Sequence, residues 1–196
     1  MKNALFYVGV LVVMLLFSGC ATKMPEYSVS VDNVLKLKEF ENIKIGVEEF
    51  TSTAPNNMFY HGGRKDGFYC GSILIMHWVV TPHGESIEEF LQHAFEDELK
   101  TAGIYDKYSK IRIGVQIEGV DSSVKGNIFD HNISLQMTLK VFSTNGNFFK
   151  TYVIKDYSQS TYFGSVCDDL ANSFTPFVRQ LIGEIITNPE FPNLLK

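Results

Sequence analysis

The sequence lacks the short motifs that mark the common enzyme classes. It contains no Gly-x-Ser-x-Gly nucleophile elbow, no Walker loop, no dinucleotide-binding fingerprint and no His-Glu-x-x-His zinc motif. Four histidines fall in one half of the chain, but their spacings match no standard zinc pattern: His61, His77, His83 and His93. We therefore expect a protein that is not an enzyme and that binds no metal and no cofactor.

The sequence also lacks basic character. Its 196 residues include 17 Lys and Arg against 22 Asp and Glu, which gives a formal net charge of −5 at pH 7. The basic residues form no runs, so the composition argues against nucleic acid as a partner and against an electrostatic lipid-binding face. A chain of this length suits one domain with a sizeable hydrophobic core.

Long apolar runs are scarce, and the one at the N-terminus is short. Lys2 precedes an apolar stretch over 4–17, after which Ser18 and Gly19 lead to Cys20. A membrane-spanning helix needs about 20 apolar residues, whereas a signal peptide combines a positive start with an apolar segment of roughly 7–15 residues. The pattern favours a signal peptide, and a secretory signal cut at another bond is the alternative to a lipoprotein signal.

The string Leu-Phe-Ser-Gly-Cys over 16–20 resembles a lipobox, in which a small pair precedes the lipidated cysteine. This resemblance implies that residues 1–19 are a lipoprotein signal peptide and that Cys20 carries diacylglycerol and N-acyl (palmitate-type) chains that anchor the protein to the membrane. Ala21 stands where Asp would resemble an inner-membrane retention signal, which implies the periplasmic face of the outer membrane. We expect 20–41 to be the lipidated cysteine and its tether, and 42–196 to be a single domain. Within the tether, Tyr27, Val29 and Val31 alternate weakly with polar residues, so an edge strand is the alternative there.

Only two further cysteines occur, Cys70 and Cys167. A signal peptide would deliver them to an oxidising compartment, where disulfides form and persist. We expect the two to pair, with two separately buried thiols as the alternative. No C-x-x-C spacing suggests a redox role.

Two segments carry the apolar period of an amphipathic helix. Ser86 and Glu89 have the spacing of a capping box, and Gly103 stands where a left-handed C-terminal cap is expected. The acidic residues Glu88, Glu96, Asp97 and Glu98 are expected mainly on the solvent side of this first helix. The second helix begins near 165 and runs to about 187, and Pro176 either kinks it or divides it in two.

Period-two alternation predicts strands over 43–50, 111–118 and 133–141, with a fourth after Asn145-Gly146. A two-residue turn there would place Leu139 opposite Tyr152 and Met137 opposite Ile154. The element order β-α-β-β-β-α predicts an α+β two-layer sandwich. It consists of a mostly antiparallel four-stranded sheet with two helices on one face.

The stretch 51–80 is expected to be a long connection whose apolar run over 73–80 is either a buried strand or a packed connection, since periodicity does not separate the two. Within it, aromatic residues alternate with glycine and charge, a composition typical of protein interfaces. We predict a partner-binding loop, with a loop laid over the core as the alternative; its candidate contact residues are Phe59, Tyr60, His61, Arg64, Phe68 and Tyr69.

The segment 81–105, with its Thr-Pro-His-Gly start, together with 119–123, 143–146 and 166–191, resembles an uncharacterised family of Gram-negative outer-membrane lipoproteins. The resemblance covers most of 70–195 and includes a cysteine that Cys70 matches. It departs in the first 50 residues after Cys20 and in the loop at 129–131. It implies an envelope location and supports the cysteine pair, but it implies no activity.

The functional expectation is an envelope accessory protein, held at the membrane, that binds another envelope protein. Tethering to a membrane raises the local concentration of the domain, so weak contacts suffice for this role. The alternative is a carrier of a small apolar ligand or lipid, similar to transport-accessory lipoproteins.

Overall fold

The structure is a computed structural model that describes residues 20–54, 66–70, 77–126, 130–160 and 166–196. The strands in these ranges are β1 Cys20–Lys23, β2 Gly46–Val47, β3 Thr51–Ser52, β4 Gly67–Tyr69, β5 His77–Val80, β6 Arg112–Gly126, β7 Asp130–Ser143 and β8 Phe148–Ser160. The α-helices are α1 Val31–Leu37, α2 Ile87–Thr101, α3 Val166–Thr187 and α4 Phe191–Leu194.

The chain folds as an α+β protein around a mixed sheet. Its strand order is β2-β6-β7-β8, with β3 also paired to β6. The predicted antiparallel meander of the last three strands is confirmed, but the prediction of a mostly antiparallel four-stranded sheet is wrong in detail. Strands β2 and β3 run parallel to β6. The connection from β3 to β6 contains helix α2, and a helical crossover returns the chain in the same direction.

The hairpin between β7 and β8 has a different register from the predicted one. Ser143 N–H donates to the Asn147 carbonyl at 3.0 Å, so the loop has three residues, with Gly146 at φ +89°. Such a loop is the next most common hairpin connection after the two-residue turn. The change moves the pairing by one residue: Leu139 faces Thr151, and Met137 faces Val153.

This shift decides which face of β8 is apolar. A slip of one residue moves every side chain of a strand to the other face of the sheet. Phe149 and Val153 are therefore buried, whereas Tyr152 and Ile154, predicted to face the core, are exposed.

A bulge changes the face of β6 midway along the strand. Ile117 pairs with Leu139, but Gly119 pairs with Thr138, so the register shifts at Glu118. An extra residue in one strand reverses the alternation beyond it. The side chains of β6 that face the core are consequently those at odd positions before the bulge and those at even positions after it. Val120, for example, lies opposite Met137.

The two long helices follow their sequence signals. The capping box at the start of α2 is present, with the Ser86 hydroxyl accepting from the Glu89 amide and the Glu89 carboxylate accepting from the Ser86 amide. Gly103 has φ +78°, as expected at the C-terminus of a helix. Pro176 lies inside α3, which continues through it as one helix to Thr187.

The N-terminal segment is not the tether that the sequence predicts for 20–41. Strand β1 pairs in parallel with β5 over its full length, from Cys20 opposite His77 to Lys23 opposite Val80. Helix α1 follows, and the hydrophobic core includes Met24 and residues of α1. The structure differs from the prediction because isolated apolar residues in a mostly polar segment can each fill a core site without producing a periodic pattern.

A second, smaller sheet has the order β1-β5-β4. Two of its strands, β4 and β5, lie in the stretch 51–80. Strand β5 falls in the apolar run 73–80, for which a buried strand was one of the two expectations, whereas β4 lies in the part expected to be a loop. Cys70 directly follows β4 and is bonded to Cys167 at the start of α3, with 5.5 Å between their Cα atoms. The predicted disulfide is therefore present, and it joins the small sheet to the last long helix.

Within the described ranges, no helix has both the length and the apolar character needed to cross a membrane.

We predict that the Cys70–Cys167 bond stabilises the fold by constraining a long loop in the unfolded chain. The cysteines are 97 residues apart, a separation for which the chain-entropy estimate is about 4–5 kcal/mol. In a chain that lacks residues 1–19 and carries Cys20→Ser, reductant should lower the urea midpoint substantially. The Cys70→Ser/Cys167→Ser variant should start at the lowered midpoint and show no response to reductant. Equal midpoints with and without reductant in the parent chain would contradict this prediction.

Candidate functional site

The predicted anchor residue, Cys20, is the first residue of β1. Two residues later, the Thr22 hydroxyl donates to Asp168 Oδ1 at 2.9 Å and lies 2.8 Å from His77 Nε2. These three side chains come from β1, the N-terminal turn of α3, and β5. The backbone next to Cys20 is thus fixed to the domain both by strand pairing and by side-chain hydrogen bonds.

The predicted partner-binding loop lies mostly outside the described residues. Phe59, Tyr60, His61 and Arg64 belong to the segment that the structure does not describe. The backbone of Tyr69 is part of β4.

Phe68 is 2% exposed, and its ring lies 5.1 Å from that of Phe174. Phe68 is therefore a core residue, so its inclusion among the partner contacts is wrong. Composition alone did not distinguish an aromatic residue that packs into the core from one that contacts a partner.

A buried carboxylate links the N-terminal segment to the two long helices. Glu98 on α2 is fully buried, and its Oε1 accepts from the Tyr27 hydroxyl at 2.5 Å and from the Ser30 amide at 2.9 Å. The Asn33 side chain donates to the same oxygen at 3.2 Å and to the Arg179 carbonyl on α3 at 3.0 Å. Within the described ranges, the second carboxylate oxygen of Glu98 is buried without a hydrogen-bond partner.

The sequence placed Glu98 on the solvent side of α2, and that placement is wrong. The residue follows Ala94 by four positions and Leu91 by seven, which puts it on the same stripe as these apolar residues. The N-terminal segment covers this part of the helix and supplies three donors. The spacing is the signal that could have identified Glu98 as buried.

Tyr27 is coupled to this carboxylate. Burial, together with the hydrogen bond to Glu98 and its charge, raises the pKa of the Tyr27 phenol well above its ordinary value. The phenolate is disfavoured because it would sit in a poorly solvated place beside a carboxylate. Tyr27 therefore acts as a permanent donor at neutral pH.

The outer face of the large sheet carries exposed aromatic residues. Phe148 is 58% exposed and Tyr152 is 56% exposed, both on β8. The Lys140 ammonium lies 4.8 Å from the centre of the Phe148 ring, and the Tyr152 hydroxyl donates to Gln136 Oε1 at 2.7 Å. We call the outward-facing side chains of β7 and β8, from Ser134 to Phe142 and from Phe148 to Asp156, the outer face. A shallow groove of about 180 Å³ crosses it beside Gly119 and Thr138.

Two further clefts flank helix α2. One, of about 300 Å³, lies between α2 and the N-terminal segment and includes Tyr27, His93, Asp97 and Lys100 in its lining. The other is a wider depression of about 750 Å³ beside β2 and β3. Both are open to solvent. The first combines apolar residues such as Phe90 and Ala94 with charged ones, and the second has a mainly polar lining. Among the described residues, no three His, Cys, Asp or Glu side chains converge on a position suited to a metal ion.

Comparisons with known proteins give a family and several distant solved structures. The model of a family described as uncharacterized lipoprotein matches residues 79–196, more than half of the chain. No curated protein matches the sequence.

Two of these solved structures, both of low sequence identity, illustrate the similarity. The protein XCC0632 from Xanthomonas campestris, assigned to the family DUF330, is 7% identical with a TM-score of 0.48; the match covers 77% of this chain and 88% of that one. The hypothetical protein CT253 from Chlamydia trachomatis is 11% identical with a TM-score of 0.37, over 74% of this chain and 94% of that one.

We predict that Tyr27→Phe destabilises the fold by about 1–3 kcal/mol at neutral pH, because it leaves the buried Glu98 carboxylate without one donor. Because the pKa of Tyr27 is raised in the folded state, its contribution is fully present below the ordinary phenol pKa of about 10 and is lost as the pH rises above it. Urea unfolding should therefore show that wild type loses stability faster than Tyr27→Phe above about pH 10.

Tyr157 provides an internal control for this measurement. Burial raises its pKa to about 12, and it is present in both proteins, so its alkaline titration cancels in the difference. Parallel stability curves for wild type and Tyr27→Phe through this range would show that Tyr27 does not titrate with folding.

Proposed function

Because this chain belongs to a family of uncharacterised lipoproteins, we propose that it is a non-enzymatic accessory protein, lipid-anchored through Cys20, that binds another envelope protein. The proposed location is the periplasmic face of the outer membrane. The observation that carries the binding role is the outer face of the large sheet, which presents solvent-exposed aromatic side chains.

The alternation of burial along β7 and β8 supports this assignment. Odd-numbered apolar residues such as Leu139 and Val153 are buried, and helix α3 packs against both strands. The even-numbered residues on the opposite side include the exposed Phe148 and Tyr152. Exposed aromatic residues within a polar surround are typical of protein interfaces, and tyrosine is prominent among the residues that dominate binding energy.

The chemistry of the outer face defines the kind of partner. Lys140 lies over Phe148, and Lys150 is paired with Glu118 at 2.7 Å. The charge of Lys150 is therefore partly neutralised by a carboxylate on strand β6, and the face also carries amide and hydroxyl groups beside its aromatic rings. Such a surface fits a protein partner that offers apolar side chains with a few hydrogen-bonding groups, rather than a strongly charged ligand.

The position of Cys20 supports a role at the membrane surface. The residue begins a strand that is paired along its whole length, so acyl chains on it would join the bilayer directly to the folded domain. Anchoring by several acyl chains is far more durable than by one. The outer face would then be presented at a fixed height above the membrane.

We predict that Cys20→Ser abolishes acylation and releases the protein from membranes, because the modified sulfur is removed. Metabolic labelling with palmitate and membrane fractionation measure both effects. Ala21→Asp is the matched control: it should keep the label but move the protein to the inner membrane. Labelled, membrane-bound Cys20→Ser protein would overturn the proposed anchor.

We predict that Phe148→Ser and Thr138→Arg each reduce partner capture in crosslinked cells by about tenfold, the effect of losing a contact worth more than 1 kcal/mol. The first removes an exposed ring, and the second fills the groove on the outer face. Quantitative mass spectrometry of material purified with the lipidated protein provides the readout.

Tyr108→Ser is the control for general loss of surface aromatics. Tyr108 is 80% exposed but belongs to the turn before β6 rather than to the outer face. A partner lost equally from all three variants, or from none of them, would count against the outer face as the binding surface.

A further inference from the structure

Strand β8 forms an edge of the large sheet. Within the described part of the chain its only strand neighbour is β7, and the pairing is continuous from Phe148 to Ser160. The strand is 13 residues long and contains neither proline nor glycine. Natural proteins usually interrupt such an edge with a bulge, a proline or a short strand, because an uninterrupted edge can pair with another chain.

The opposite edge of the sheet, along β6, is interrupted by short strands and by a bulge. Strands β2 and β3 cover the first part of β6, and the bulge at Glu118 disturbs the part beyond it. Gly119 follows the bulge directly. The contrast leaves β8 as the edge suited to pairing.

The direction of the backbone groups on β8 follows from one hydrogen bond. Ser143 N–H donates to the Asn147 carbonyl, which makes this a hydrogen-bonded pair. In an antiparallel ladder such pairs alternate with non-hydrogen-bonded ones. The odd residues of β8 therefore bond to β7, and the N–H and C=O groups of the even residues point to the open edge.

The even residues at the centre of the edge carry exposed apolar side chains. Tyr152 is 56% exposed and Ile154 is 46% exposed. They are flanked by Lys150 on one side and Asp156 on the other, both exposed. The central segment thus has opposite charges at its two ends and apolar residues between them.

We propose that β8 pairs antiparallel with β8 of a second copy of this chain, about a two-fold axis at Val153. In this register Lys150 of each copy faces Asp156 of the other, and Tyr152 faces Ile154. Opposite charges and aromatic–aliphatic pairs directly across two strands are favourable. The arrangement is self-complementary, as a two-fold interface requires.

Neighbouring registers lose this complementarity. A shift of one hydrogen-bonded pair in either direction places Asp156 opposite an aromatic ring, Phe148 or Tyr152, and separates it from Lys150. Lys150 already contacts Glu118 on its own sheet at 2.7 Å. Its ammonium has three donors, so it can serve Glu118 and the second copy together.

The proposed pairing is independent of the partner-binding role. Pairing at the edge joins two sheets side by side and leaves both outer faces open. Lys150, Ile154 and Asp156 also belong to the outer face, so the two proposals are separated by their readouts: the dimer by the mass of the purified protein, and the envelope partner by capture from crosslinked cells.

Sedimentation equilibrium of the purified, lipidated full-length protein in detergent tests the proposal. Wild type should have the mass of two chains at micromolar concentration. Asp156→Lys should raise the dimer dissociation constant by about tenfold or more, because Lys150 then faces a like charge at two symmetric positions. Lys150→Glu should act in the same direction.

The charge-swapped variant Lys150→Glu/Asp156→Lys should restore the dimer, since the two exchanged side chains would again face each other across the axis with opposite charges. A role of Lys150 confined to its own Glu118 cannot produce this recovery. Ile154→Pro should give monomers with an intact fold, because the amide that it removes points to the open edge rather than to β7.

Three results would overturn the proposal: a monomeric wild type, a dimer unaffected by either single charge change, or a double variant no better than the single ones. Capture of a different protein on the β8 edge in place of a second copy would also overturn it.

Discussion

The buried carboxylate of Glu98 holds the architecture together at the point where three segments meet. It sits on α2, receives donors from the N-terminal segment, and through Asn33 is connected to α3. Removing one partner of a buried charge is costly because the charge stays desolvated without compensation. The N-terminal segment is thus bound to the helices by a polar contact whose loss would expose both a charge and the core residues beneath it.

The sequence predicted the elements with strong periodic or capping signals. Helix α2 begins and ends where the capping box and Gly103 indicate, and the β6–β8 meander follows its alternating pattern. What it could not predict depends on single residues. The three-residue loop before Asn147 and the extra residue at Glu118 each reverse a strand's faces, and neither is visible in the alternation itself.

The candidate site was predictable to a smaller extent. The disulfide was predicted from the expected compartment and the cysteine count, and the structure confirms it. The anchor at Cys20 rests on the resemblance to a lipobox and stays a prediction. The exposed face of β8 was missed because its identity depends on the hairpin register, which a turn motif alone does not determine. The helix in the N-terminal segment was missed for another reason: its stability comes from packing against α2 and α3 rather than from its own propensity.

The strand pairing of Cys20 limits how far the domain can move from its proposed membrane anchor. A flexible tether of the length predicted from the sequence would let the domain sample distances of roughly 25 Å from its anchor. A domain whose first strand starts at the proposed lipidated residue has no such range, and its position relative to the bilayer is set by its own shape. With Cys20 lipidated as proposed, a protein partner would have to come to the membrane surface, within one domain's thickness of the lipid headgroups.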